Sequence, residues 1–191
     1  INTSGDADSV AHALRQTLNF RADGVIVLSG QPAASLISSS VANGQRVILI
    51  NRSDHIDGPA NLSVENADAA REAYLLLQRA GCKRLAVVSS TAHTPSLSAR
   101  DEAFVRAAAE DGIVVPVIRT GPTSYASGAD AARQLYSRTD APDGIFCVTD
   151  LLALGVMDVV RHAFGLRVPQ DVSIIGFDDI EQAGWDSYGL T

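Results

Sequence analysis

Apolar side chains recur at Ala7, Val10, Ala11, Leu14 and Leu18, a spacing that gathers them on one face of a helix over residues 7–20. A different pattern follows at once. Residues 24–28 (Gly-Val-Ile-Val-Leu) form a short unbroken apolar run between turn residues, as expected of a strand buried on both faces of a parallel sheet. The two patterns then alternate along the chain. A helix is predicted over 32–43, with Pro32 in its first turn, and a strand over 46–50 (Arg-Val-Ile-Leu-Ile). Residues 61–64 are strand-like. Asn66 is placed to cap a helix that runs to about Ala80 and stops at Gly81. A strand at 84–88 comes next, and Ser98 with Asp101 forms a capping-box pattern for a helix ending near Gly112. A strand at 114–118, a helix at about 125–137, a strand at 144–148, a helix at 151–163 and a strand at 172–176 complete the series.

Strands of about five residues alternating with helices of about twelve to fifteen imply βα units and parallel sheets, an α/β fold. No internal repeat, low-complexity tract or flexible linker interrupts the series. One seam is expected near residues 65–66, where the strand-like 61–64 closes one half and the helix from Asn66 opens the next. This divides the chain into an N-terminal subdomain, 1–65, and a C-terminal subdomain, 66–191.

Composition narrows the classes. The 191 residues are 46% hydrophobic, enough for a sizeable core. The net charge is −7 and no basic residues cluster. Such a surface repels a phosphate backbone, so any contact with DNA must come from a segment outside this sequence. Cys82 and Cys147 are far apart, with no CxxC and no nearby histidine, which reads as two reduced, buried thiols rather than a disulfide framework or a zinc site. No apolar stretch reaches the roughly 18 residues of a membrane span. The chain opens in mid-pattern at Ile1-Asn2-Thr3, with neither a Met nor a signal-like start, so the absence of a leader says nothing about secretion.

In an open parallel sheet, ligands bind beyond the carboxyl ends of the strands. Asn51 and Arg52 follow the strand at 46–50. Ser89, Ser90 and a polar loop leading to Ser96 and Arg100 follow 84–88, Thr149 and Asp150 follow 144–148, and Phe177, Asp178 and Asp179 follow 172–176. Asn, Asp and Arg can each bridge neighbouring hydroxyls of a sugar. Tyr125, after the strand at 114–118, offers an aromatic face. Each has a plainer alternative: Asp150 as a helix cap, Arg100 as a solvated side chain, Tyr125 as a packing residue at a helix start. Asn51 and Asp178 are harder to dismiss, because each abuts a buried apolar strand where an unpaired polar group is costly. The convergence carries the reading.

Enzyme signatures are missing: there is no GxxxxGK[ST], GxGxxG, GxSxG or HExxH, and His12, His55, His93 and His162 lack metal-ligand spacing. The neighbours Asp178 and Asp179 point apart on leaving a strand, whereas glycosidase carboxylates face each other. No catalysis, no cofactor and no metal are expected.

The segment 167–179, Arg-Val-Pro-Gln-Asp-Val-Ser-Ile-Ile-Gly-Phe-Asp-Asp, closely resembles the VPxDVSIIGFDD signature of the LacI/GalR transcriptional regulators. Residues 23–28 and 47–52 resemble that family's DGVIVL and VILINR. Residues 95–104 resemble its S…R…GF stretch, with Ala103 where Gly is usual, and residues 144–155 its IFCxTDxxALG. The likeness runs through all of the chain in the expected order. It implies two Rossmann-like parallel-sheet subdomains flanked by helices, with a ligand cleft between them, as in type I periplasmic binding proteins. It also implies effector contacts at Asn51, Ser96, Arg100, Tyr125, Thr149, Asp150 and Asp178. Trp185 and Tyr188 follow the last signature, with hinge and packing both open to them, and are not assigned to the site. The family's helix-turn-helix headpiece is absent from this sequence. So is a first strand, which would lie between the strands near residues 1–3 and 24–28, and so are a last strand and helix. The sequence is therefore expected to be a piece of a longer chain. The resemblance implies a cytoplasmic homodimer that binds operator DNA through the headpiece, responds allosterically to a small polar effector, most readily a sugar, and does not contact membranes. A periplasmic sugar-binding protein of the ribose-binding type shares fold and cleft and is the alternative.

Overall fold

The computed structural model describes residues 7–28, 33–51 and 57–191. Pro32, Arg52, His55 and the strand expected near residues 1–3 lie outside the described residues. The chain divides into two compact units, residues 1–65 with 94–96, and residues 66–93 with 97–191.

In the first unit, α1 (Ala7–Asn19), β1 (Gly24–Val27), α2 (Ala34–Ala42), β2 (Arg46–Ile50) and β3 (Ala60–Leu62) follow one another, and the strands form a parallel sheet in the order β1-β2-β3. Val27 lies in register with Leu49, and Val25 with Val47. Val27, Val47 and Leu49 form one core with Val10 and Leu14 of α1 and Ile37 of α2. The strands alternate along their length: Ile26 and Ile48, a register pair on the opposite face, stay 61% and 38% exposed. Burial on both faces, expected for 24–28, is therefore not found there. Both helices cover the same face, and among the described residues nothing buries the other.

The second unit contains α3 (Asn66–Arg79), β4 (Leu85–Ser89), α4 (Pro95–Glu110, whose first two residues belong to the first unit), β5 (Val117–Arg119), α5 (Tyr125–Tyr136), β6 (Gly144–Cys147), α6 (Asp150–His162) and β7 (Ser173–Ile175). A 3-10 turn, Glu181–Gly184, follows, which the apolar pattern did not announce. The strands are parallel in the order β5-β4-β6-β7. The central strands β4 and β6 are buried throughout, and here the unbroken apolar runs do mean burial on both faces. Phe104 stacks on Phe146 at 5.0 Å between ring centres and meets Tyr74 edge-on at 5.7 Å, in the middle of the core. Both cysteines are buried free thiols, and burial pushes both upward from the usual thiol range. No helix among the described residues is long and apolar enough to cross a membrane.

Of three boundaries, one falls where the pattern puts it and two differ, each for a local reason. Gly81 does end α3: with φ at +86° it lets the Cys82 amide reach back to the Leu77 carbonyl at 3.1 Å. α4, however, starts a turn earlier than Ser98, at Pro95, whose fixed φ suits a first helical residue. Ser98 and Asp101 thus lie inside the helix, and the Asp101 carboxylate accepts instead from Ser89 Oγ at 2.7 Å and Arg119 Nη2 at 2.5 Å. β5 begins only at Val117, because Pro116 has no amide to give; its carbonyl accepts from Val87 at 2.9 Å. Val114, expected in the strand, is 92% exposed.

The Tyr74 hydroxyl donates to Asp111 at 2.5 Å and accepts from Gln78 at 3.1 Å. Burial first, then the Asp111 carboxylate, pushes Tyr74 from 10.0 to about 12. A folded pKa above the ordinary one gives a contribution that is whole below pH 10.0 and lost as pH rises through about 12. Tyr74→Phe is expected to flatten that alkaline limb. Melting curves recorded across the window test it; an equally steep fall in the variant would assign the limb to another group.

Candidate effector site

The carboxyl ends of β6 and β7 converge on Arg100, in the second turn of α4. Arg100 is 5% exposed and is held through two of its three nitrogens and one face. Its Nε donates to Asn66 Oδ1 at 2.8 Å. Its Nη1 donates to the Val148 carbonyl at 2.7 Å, at the end of β6, and to Asp178 Oδ1 at 2.9 Å, beyond β7. The guanidinium also lies 3.6 Å above the centre of the Phe177 ring. Three acceptors and an aromatic floor, brought by α3, β6 and the turn after β7, fix the plane of one planar cation.

Charge balance in this cluster is tense. Burial pulls Arg100 below the usual guanidinium range, and Asp178 opposes that pull. Burial likewise raises the Asp178 carboxyl, against the favourable effect of Arg100. The Asp178 side chain remains 37% exposed, so the pair is open to solvent on the acid's side.

The loop carrying Asp178 is held by Asp150. The Asp150 amide donates to the Phe177 carbonyl at 2.8 Å, and its Oδ2 accepts from the Ile180 amide at 2.9 Å. Gly176 is required beside it: a Cβ there would lie 2.1 Å from Asp150 Oδ1. Within this clamp Asp178 and Asp179 both take positive φ, +115° and +53°, a conformation that side chains other than glycine adopt at a cost. Asp150 is the first residue of α6 and is 3% exposed, so it is neither a solvated side chain nor the cap. Thr149 occupies the cap position but makes no side-chain cap bond; its Oγ1 is buried with no partner among the described residues.

The other residues singled out from sequence sit as follows. Asn51 follows β2 with φ at +57°, which Asn tolerates, and its amide donates to the Leu62 carbonyl at 2.8 Å. Ser96 lies in the first turn of α4, its Oγ 3.4 Å from Thr94 Oγ1. Both belong to the first unit. Tyr125 opens α5 and is half-exposed; its hydroxyl donates to Asp158 on α6 at 2.7 Å, and that bond pushes it up to about 12. Tyr188 reaches the same Asp158 oxygen at 2.9 Å. The structure therefore brings Arg100, Thr149, Asp150 and Asp178 together, while the Tyr125 hydroxyl is engaged with Asp158. Asn66 and Phe177 were missed as members of the cluster. Asn66 looked like a helix cap, and Phe177 was passed over inside the 167–179 signature.

Residues 75–190 match the family profile of the periplasmic binding protein-like domain. The chain is 30% identical over 181 residues to catabolite control protein A of Priestia megaterium, covering 93% of this chain and 54% of that protein. It is 28% identical over 196 residues to the HTH-type transcriptional repressor PurR of Aliivibrio salmonicida, covering 100% of this chain and 58% of the repressor. The chain belongs to the LacI/GalR family. Its LacI/GalR fold superposes on a LacI family transcriptional regulator from Lactobacillus casei, solved with bound sucrose. That match has a TM-score of 0.82 and 26% identity, over 96% of this chain and 68% of that one. The LacI/GalR domain seen here spans a little over half the length of the two curated relatives.

Proposed function

We propose that this chain is the effector-sensing part of a LacI/GalR-type transcriptional regulator, and that Arg100, Asp178 and Thr149 take the effector. The observation that carries the reading is a buried cation paired with a half-open carboxylate, beside a buried hydroxyl with no partner of its own. Buried hydroxyls in folded proteins are bonded, so an open one at the end of a parallel strand calls for an outside partner. Asn51, Ser96, Tyr125 and Asp150 complete the proposed contact set. A small polyhydroxylated molecule, a sugar, suits acceptors and donors of this kind, and the sucrose-bound regulator from Lactobacillus casei supports that class. The effector acts by binding one of two states of the protein better than the other. DNA contact falls to a headpiece outside this chain, whose own charge is −7. A homodimer in the cytoplasm, engaging a near-palindromic operator and performing no catalysis, is part of the same proposal.

The test uses the full-length parent chain and its own upstream DNA, at fixed salt, with and without a panel of sugars. Specific binding that one sugar alters supports the regulator. Sugar-dependent thermal stabilisation without specific DNA binding turns the assignment to a sugar-binding protein.

Thr149→Val separates a functional hydroxyl from a structural one. Replacing an unbonded buried hydroxyl by a methyl is expected to leave stability unchanged or raise it by up to about 1 kcal/mol. Binding of the active sugar is expected to weaken roughly 10-fold. A variant that is less stable and binds as before would remove Thr149 from the site.

A further inference from the structure

We propose that Asn66 is a positioning residue that orients the Arg100 guanidinium for the effector; the proposal rests on the effector reading above. Arg100 uses one nitrogen, Nη1, for both the Val148 carbonyl and Asp178. Two bonds from the same nitrogen hold one corner of the planar group and leave it some freedom to rock about that corner. The bond from Nε to Asn66 Oδ1, at 2.8 Å on another edge of the plane, removes that freedom. With Nε and Nη1 anchored and Phe177 beneath the ring of nitrogens, Nη2 is the remaining nitrogen, and it has no partner among the described residues. Its direction is set by Asn66.

The residue type fits the task. An amide carbonyl accepts from Nε without adding a second carboxylate, so the positive charge of Arg100 stays available to Asp178 and to the ligand. Asn66 is 8% exposed, so the bond is shielded from water. It is also the first residue of α3, where the chain passes from the first unit to the second. The group that aims the arginine therefore sits where the chain first enters the second unit.

The experiment compares the full-length protein with Asn66→Leu, which keeps size and loses the acceptor, and Asn66→Asp, which keeps the acceptor oxygen. Asp is well placed at a helix start, so this variant is expected to fold. The first readout needs no ligand: solvent exchange of the Arg100 Nε proton, followed by NMR on protein labelled at arginine. The second is the affinity, by calorimetry, for whichever of glucose, galactose, ribose and sucrose raises the melting temperature of the unaltered protein. Exchange is expected to be slow in the unaltered protein and in Asn66→Asp, and at least roughly 10-fold faster in Asn66→Leu. Sugar affinity is expected to fall about 10-fold in Asn66→Leu and to fall less in Asn66→Asp, which keeps the direction of Arg100 but adds a carboxylate. Equally slow exchange in Asn66→Leu overturns the proposal, and so does fast exchange with unchanged affinity. If none of the four sugars binds the unaltered protein, the sugar reading fails, and the exchange data alone decide whether Asn66 fixes Arg100.

Discussion

Gly155→Ala is expected to cost about 3 kcal/mol of stability, at the upper end for overpacking. α5 and α6 cross at two glycines, one from each helix. A Cβ on Gly155 would lie 2.0 Å from the Tyr125 carbonyl oxygen and 2.8 Å from the Ala129 amide nitrogen. A Cβ on Gly128 would lie 2.1 Å from the Leu152 carbonyl oxygen. Every one of these neighbours is backbone, so no side chain can rotate away, and the helices themselves must part. Parting them loosens contacts around Ala129, Ala132, Leu152 and Val156, all of which are in the buried core. The loss corresponds to a fall of about 6–12 °C in melting temperature for a chain of this size. Gly184→Ala is the control: nothing lies within 4 Å of its would-be Cβ, and a change within about 0.5 kcal/mol is expected. Urea unfolding of both variants decides the matter; equal stability would mean that the helices do not meet at Gly155. The consequence extends to function, because α6 begins at Asp150 and its start holds the turn that carries Asp178.

This glycine also shows where sequence reading stops. The Ala-Leu-Gly of 153–155 was legible as part of a family pattern, yet nothing in its spacing said that a carbonyl from another helix would touch it. Alternating apolar runs and helical stripes gave the order of strands and helices, because both signals are local. They failed at β1 because the apolar run is silent about whether a second layer covers it. They failed at α4 because Ser98 and Asp101 satisfy a local capping rule, while the Asp101 carboxylate finds stronger partners in Ser89 and Arg119, from β4 and β5. The site behaved the same way. Arg100 and Asp178 were visible as polar residues next to buried strands, 78 positions apart in sequence. Asn66 was hidden by its role as a cap, and the positive φ values of Asp178 and Asp179 have no sequence mark, since they arise in a turn held by Asp150 from the start of α6.

Arg100→Lys is expected to weaken binding of the active sugar by about 2 kcal/mol or more, roughly 30-fold, while the domain stays folded. Lysine keeps the charge near Asp178, so the carboxylate is not left alone. It cannot keep the geometry. One ammonium cannot reach Asn66 Oδ1, the Val148 carbonyl and Asp178 Oδ1 as three nitrogen-bound protons of a flat group do, nor can it lie flat on Phe177 at 3.6 Å. The nitrogen left over for the ligand, Nη2, disappears with the plane. Asp178→Asn makes the useful comparison. Its amide oxygen still accepts from Nη1, so the arginine keeps its direction and only the charge is lost. Its effect on sugar affinity is expected to be the smaller of the two. Calorimetry on both variants, with operator binding measured in parallel, gives the order. A larger loss in Asp178→Asn would mean that charge, not the fixed plane of Arg100, governs recognition. Unchanged affinity in both would move the effector away from these strand ends altogether.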